Sequence, residues 1–247
     1  MDYTEFRGKG VHVTGAGKGI GRAIAVRLAS LGANVYGISR TQADLDSLRQ
    51  QAPSIETRLV DISHWDTARK TVEDIGPIDM LINNAGAIKH TPFLDVTKEE
   101  LDEQHNINFR AAFNITQVVA RGMVARGTGG AVVNISSVAG IRTTSNHLCY
   151  STSKAALDMM TLSLAYELGP KKIRVNSVNP TIVMTELGKK GWSDPEKKAA
   201  ALAKIPVGRF AEEEDVVNAT VFLLSEKSSM INGVTLPVDG GMLIDVM

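Results

Sequence analysis

Short runs of apolar and β-branched residues alternate along this chain with longer stretches in which apolar positions recur every three or four residues. The short runs predict strands at 10–14, 34–38, 56–60, 78–83, 130–136, 173–178 and 234–238. The longer stretches predict helices near 19–31, 41–51, 64–75, 98–125, 150–168, 195–203 and 213–225. Strand and helix alternate from end to end, with no low-complexity linker and no repeat. That order predicts an α/β fold: a single-domain, doubly wound, seven-stranded parallel sheet of Rossmann type, with right-handed crossovers placing helices on both faces. One domain spanning 1–247 is the economical organisation, since the length suits one large core.

The pattern also predicts where chemistry sits. Open parallel sheets bind ligands beyond the carboxyl ends of their strands. At those ends stand the Gly15–Gly21 turn, Ser39-Arg40, Asp61, Asn83-Asn84-Ala85-Gly86, Ser137, and Asn179-Pro180-Thr181. The first turn, Gly15-Ala-Gly-Lys18-Gly19-Ile20-Gly21, follows a strand and opens a helix, which aims backbone N–H groups at a pyrophosphate. Its spacing, G-x-x-x-G-x-G, is neither the strict dinucleotide fingerprint nor a P-loop. After the second strand, an NAD site would hold a carboxylate. Here Ser39, Arg40 and Thr41 stand there, with Lys18 inside the glycine turn, a set suited to a 2′-phosphate and so to NADP(H). Thr41 and Asp44 have the spacing of a capping box. Asp61 could meet an adenine amine or cap a helix opening at Ser63.

Tyr150 and Lys154, four apart, share one helix face, and Ser137 arrives from a separate strand end. A free tyrosine titrates near ~10; a cation beside it favours the phenolate, and three units would be roughly 4 kcal/mol. With Ser137 holding an oxygen, this is a proton-transfer site for carbonyl or alcohol chemistry. Asn108 lies inside a predicted helix, where asparagine invites a local kink and could hold a water leading from Lys154. Thr143, Thr144, Asn146 and His147 are polar candidates for a substrate's hydroxyls. Trp192 stands in the long connection 185–210, a predicted lid, where it could wall the pocket or anchor the lid; Ser193-Asp194-Pro195 reads as a helix start within it.

Composition narrows the partners. Lys plus Arg (27) equals Asp plus Glu (27), which favours neither nucleic acid nor an anionic membrane. No run approaches a membrane span or a signal peptide, and the lone Cys149 fits a reducing compartment, the cytoplasm. His12, His64, His90, His105 and His147 show no paired metal-ligand spacing, so no metal is inferred. Apolar stripes at Ala111, Ala112, Val118, Val119, Ala155, Met159, Met160 and Leu162, with the tail 240–247, suggest a face left for a partner subunit.

Thr14 to Gly21, Asn83-Asn-Ala-Gly, Asn108, Ser137 and Tyr150-x-x-x-Lys154 together resemble the short-chain dehydrogenase/reductase family over essentially the whole chain. The resemblance implies Tyr150 as proton donor, Ser137 orienting a carbonyl, Lys154 holding the nicotinamide ribose and tuning Tyr150, and Asn108 sustaining the relay. Ser136 is the adjacent competitor for Ser137. The resemblance adds coenzyme contacts at Ile20, Ala85, Gly86, Pro180, Val183 and Thr185. One departure is Pro180-Thr181, where the family usually has Pro-Gly. Segments outside these motifs, such as Val178–Thr185 and Trp192–Pro195, are similar to a tetrameric carbonyl-reductase branch. That implies a homotetramer reducing L-xylulose to xylitol and α-dicarbonyls such as diacetyl with NADPH. Two rivals are a ketoacyl-(acyl carrier protein) reductase, for which Lys189, Lys190, Lys197 and Lys198 would dock the carrier, and a non-enzymatic NADP(H) sensor or scaffold.

Overall fold

Every strand of the central sheet is parallel to its neighbours, in the order β3-β2-β1-β4-β5-β6-β7. The computed structural model describes residues 3–244. Its strands are β1 (Gly10–Thr14), β2 (Asn34–Ser39), β3 (Glu56–Leu59), β4 (Met80–Asn83), β5 (Gly130–Ile135), β6 (Ile173–Pro180) and β7 (Thr235–Val238). The helices are α1 (Gly19–Ser30), α2 (Gln42–Gln51), α3 (Trp65–Glu73), α4 (Lys98–His105), α5 (Ala111–Arg126), α6 (Leu148–Leu168), α7 (Glu186–Gly191), α8 (Pro195–Leu202) and α9 (Glu213–Leu224). This is the expected single-domain Rossmann architecture. The strand order reverses between β1 and β4, the position at which such sheets open a crevice.

Central strands read as continuous apolar runs because helices cover both faces. Alternate residues serve opposite layers. Val11, Val13, Val133 and Val178 pack with Ile24, Leu28, Val216 and Val221 on one side. Leu81, Val132 and Val175 pack with Ile115, Val119 and Met123 on the other. Each such side chain stabilises the fold by about 1.5–3 kcal/mol on burial. His12 alternates out of the first layer and is fully buried, and neither ring nitrogen has a hydrogen-bond partner.

Three expectations change. The predicted helix 98–125 is two helices joined by a π turn, Asn106–Arg110, in which the Ala111 N–H reaches back to Asn106 O. The capping box at Thr41 does not form: no side chain caps α2, and Thr41 N–H instead donates to Ser39 Oγ at 3.4 Å. Much of the proposed partner face is absorbed by the core, since Ala111, Ala112, Val119 and Met160 are buried. Met159, Leu162 and Tyr166 on α6 remain exposed. The end of the tail, 245–247, lies outside the described residues, as do residues 1–2.

Candidate active site

The glycine turn is built for close approach. Gly15 and Gly19 have positive φ (66° and 59°), which only glycine adopts without cost. A Cβ on Gly21 would lie 2.3 Å from Asn84 Nδ2 and 2.4 Å from Gly15 O, so no larger residue fits. Asn84 holds the turn by donating to Thr14 O (3.0 Å) and Gly15 O (3.2 Å), while Thr14 Oγ1 accepts from the Asn84 and Ala85 N–H groups. Arg22 pins the other side, donating to Gly17 O at 2.8 Å and to Asp44 O at 2.8 Å. These contacts of Thr14, Asn84 and Arg22 have no local signature in the sequence. Their partners lie far along the chain or across the turn.

The residues fit a dinucleotide. No side chain caps the N-terminus of α1, so its first N–H groups remain for an anion beside exposed Lys18. The space over Gly19 is bounded by Thr185, whose methyl would be 3.4 Å from an added Cβ. Thr185 caps α7 through Gly188 N–H, and Val183 bridges to Ala211, which holds this stretch beyond Pro180. Arg40 and Asp61 line a groove of about 380 Å³ with Ser63, Glu99, Asp102 and Ile107. Asp61 accepts from Ser63 N–H (2.9 Å) and Ser63 Oγ (2.8 Å). Partial burial pushes its carboxyl up, but those bonds, with Arg40 and His64 nearby, set it below the ordinary value. Asp61 thus caps the turn at Ser63, while the helix that follows begins later, with His64 at its N-cap. The Asn83 side chain braces the sheet: it is buried, donating to Thr116 Oγ1 and Asn134 Oδ1 at 2.8 Å each. That position can offer a coenzyme only its backbone.

Ser137, Tyr150, Lys154 and Asn108 converge as the spacing required. Ser137 stands close enough to the Tyr150 hydroxyl to favour its ionised form against burial, and Ser137 Oγ accepts from Ala139 N–H at 3.1 Å. Ser136 points elsewhere, donating to Lys154 O at 3.3 Å. Lys154 is buried, donates to Ile135 O at 2.8 Å and lies 5.7 Å from the Tyr150 ring centroid. Gly86 leaves room between Asn108 Oδ1 and Lys154 Nζ, which an added Cβ would approach to 3.2 and 3.6 Å. Asn108 is held at both ends of its amide: Oδ1 accepts from Ala87 N–H (2.8 Å), while Nδ2 donates to Ala87 O and Ser153 Oγ (2.9 Å each).

The electrostatics correct one expectation. Lys154 was expected to draw the Tyr150 phenol down. Burial instead pushes it up, opposed by the hydrogen bond from Ser137 and reinforced by Asp158 when ionised. Burial also lowers Lys154 to about 8. The phenol is thus neutral at physiological pH, the state from which an acid donates.

His147 stands at the mouth, its ring 6.5 Å from Tyr150 and its Nδ1 2.7 Å from Ser145 O. A proton on Nδ1 would donate to that carbonyl and leave Nε2 as an acceptor. His90, which the sequence does not single out as a site residue, packs against His147 with ring centroids 4.3 Å apart and the planes tilted by 58°. Asn146 takes a left-handed conformation (φ 63°), and its carbonyl accepts from Thr91 N–H, tying the two loops together. Trp192 packs 5.5 Å from Phe210 within an apolar cluster of Ala201, Ile205 and Phe210, with Lys197 Nζ 4.7 Å over its ring. Its visible contacts are those of an anchor. Cys149 is buried beside the site, and burial pushes its thiol up, away from reactivity.

A family model described as enoyl-(acyl carrier protein) reductase matches residues 15–243. An L-xylulose reductase of Mesocricetus auratus is 53% identical, over 96% of this chain and 97% of its own. A D-erythrulose reductase of Gallus gallus is 51% identical over 97% of each. Among solved structures, a putative NAD(P) dependent gluconate 5-dehydrogenase from Beutenbergia cavernae, with NADP bound at low occupancy, superposes with a TM-score of 0.91. It is 34% identical and covers 97% of this chain and 98% of that one. The chain belongs to the short-chain dehydrogenase/reductase family. It is an oxidoreductase of that family and works with a nicotinamide coenzyme.

Proposed function

We propose that this protein is an NADPH-dependent reductase of small carbonyl compounds, acting on ketoses such as L-xylulose and on α-dicarbonyls such as diacetyl. The observation that carries the reading is the junction of Ser137, Tyr150 and buried Lys154 at the carboxyl edge of the sheet, with His147 at its mouth. When bound, the coenzyme supplies a hydride to the carbonyl carbon. Ser137 orients the carbonyl oxygen, and Tyr150 donates its proton to that oxygen as negative charge develops there. Lys154 then stabilises the phenolate left behind. Both Nδ2 hydrogens of Asn108 are used, so a relay water held by this residue would donate to one of its oxygens. Lys18, Ser39, Arg40 and Thr41 favour the 2′-phosphate, since no carboxylate occupies that place. The L-xylulose and D-erythrulose reductases among the relatives support a polyhydroxylated substrate. The lid, 185–210, would close over it, and the lone buried thiol suits the cytoplasm.

The acyl-carrier reading has one observation in its favour, the lysines of the lid. Lys189, however, pairs with Glu186 at 3.1 Å and Lys197 lies over Trp192, leaving Lys190 and Lys198 as the carrier's contacts. A panel of L-xylulose, diacetyl and a ketoacyl thioester, read by NADPH consumption, separates the two. Turnover of the first two with little on the thioester is expected; the reverse order would replace the proposal, and no turnover at all would favour a sensor.

A further inference from the structure

Asp158 lies on α6 one turn beyond Lys154, is almost wholly buried, and has no part in the roles given above. Ser177 and Asn179 of β6 and Ser136 at the end of β5 surround it. Of the groups that face it, only Lys154 is charged, with the Tyr150 phenol beyond. A Cβ on Gly140 would come within 2.6 Å of Asp158 Oδ2, so the chain is kept bare there to admit the carboxyl.

The hydrogen count around this carboxyl is unusual. Asn179 Nδ2 donates to Ser137 O at 2.9 Å and to Asp158 Oδ2 at 2.8 Å, which uses both of its hydrogens. A flipped amide would set Asn179 Oδ1 against the Ser137 carbonyl, two acceptors facing each other, so the orientation is settled by the network. Asn179 Oδ1 then lies 2.8 Å from Ser177 Oγ, and Ser177 Oγ also lies 2.8 Å from Asp158 Oδ1. A serine has one hydrogen, yet two acceptor oxygens stand at full hydrogen-bond distance. A proton on Asp158 removes the conflict. Asp158 Oδ1–H donates to Ser177 Oγ, and Ser177 Oγ–H donates to Asn179 Oδ1.

We infer that Asp158 is a positioning residue that works as the un-ionised acid, its proton completing a chain from α6 through Ser177 and Asn179 to the backbone carbonyl of Ser137. The chain holds the Ser137 segment against the helix that carries Tyr150 and Lys154. Ser136 reinforces it from beside the carboxyl, donating to the Lys154 carbonyl at 3.3 Å. Burial raises the carboxyl, which agrees with a retained proton, although the Ser177, Ser136 and Asn179 bonds and Lys154 pull the other way. Keeping the carboxyl neutral spares the site a second buried charge beside Lys154.

The inference rests on Tyr150 and Lys154 being the reacting pair, and two independent readouts test it. In the infrared difference spectrum of the whole wild-type protein minus Asp158→Asn at neutral pH, the carbonyl stretch of an un-ionised carboxylic acid is expected. A carboxylate signature in its place overturns the inference, and this arm needs no turnover. In kinetics, Asp158→Ala should lower kcat for diacetyl reduction about tenfold or more while leaving KM for NADPH within about twofold. Asp158→Asn, neutral and of the same shape, should recover kcat to within about threefold of wild type. If Asp158→Asn is as impaired as Asp158→Ala, the charge was the working form and the proposal fails. If the Ala variant does not fold, the spectrum and the Asn variant still decide.

Discussion

Two residues show how one burial produces opposite effects on function and on stability. Tyr150 is held neutral by burial, which suits a proton donor, and its replacement by Phe removes only the hydroxyl. Tyr150→Phe should therefore cut kcat by about 10²-fold or more while NADPH affinity, by fluorescence titration, stays nearly constant. A variant keeping more than about a tenth of the rate would remove Tyr150 from the role of acid. His12 is buried on β1 with neither ring nitrogen hydrogen-bonded, and burial lowers it to about 4. The unfolded chain binds this proton near pH ~6.5, so between the two values the unfolded state holds more protons and stability falls as pH falls. The linkage amounts to about 2 kcal/mol lost between pH 7.5 and 5, and His12→Leu should abolish that share. Urea unfolding of both proteins at the two pH values checks it; equal slopes with pH would contradict the burial argument.

At the scale of elements, the ends of strands and helices do the recognising. The β2 to α2 connection places Ser39, Arg40 and Thr41 beside the glycine turn, and Gly17 is bare because Ser39 Oγ would sit 2.7 Å from a Cβ there. Ser39→Asp with Arg40→Leu should shift kcat/KM from NADPH toward NADH by about 10²-fold. A carboxylate accepts from a ribose hydroxyl and repels a phosphate. An unchanged ratio in paired kinetics would mean that the phosphate lies elsewhere. The π turn at 106–110 is the other decisive element. It interrupts a helix so that buried Asn108 can grip Ala87 and Ser153 at once, fixing the loop after β4 against α6.

For the whole molecule, the surface poses the remaining question. Met159, Leu162 and Tyr166 lie on one side of α6, at 62, 45 and 87% exposure, a stripe that costs solubility unless it is covered. We expect a homotetramer, closed by two-fold axes. Sedimentation equilibrium at micromolar concentration should return about four times the 26.5 kDa chain mass. A mass of one chain would show that the stripe stays bare, and Tyr166→Glu should dissociate the assembly if α6 forms the contact. No helix among the described residues is long and apolar enough to cross a membrane.

Periodicity alone placed the seven strands and most of the long helices, but it ran α4 and α5 together as one. Burial on both faces leaves runs of Val and Ile, and one-sided burial leaves a spacing of three or four, signals that need no distant partner. The same local logic exposed the glycine turn and Tyr150 with Lys154, because each is a short-range pattern. Only tertiary structure decided the rest. It turned Asn83 into the sheet toward Asn134, made Asp61 a cap, left Thr41 without its box, and joined Asn84 to the glycine turn. It also brought His90 against His147 and packed Asp158 against Ser177 and Asn179. A polar side chain's partner and protonation are set by what folding brings within about 3 Å of it, and that neighbour is usually remote in sequence.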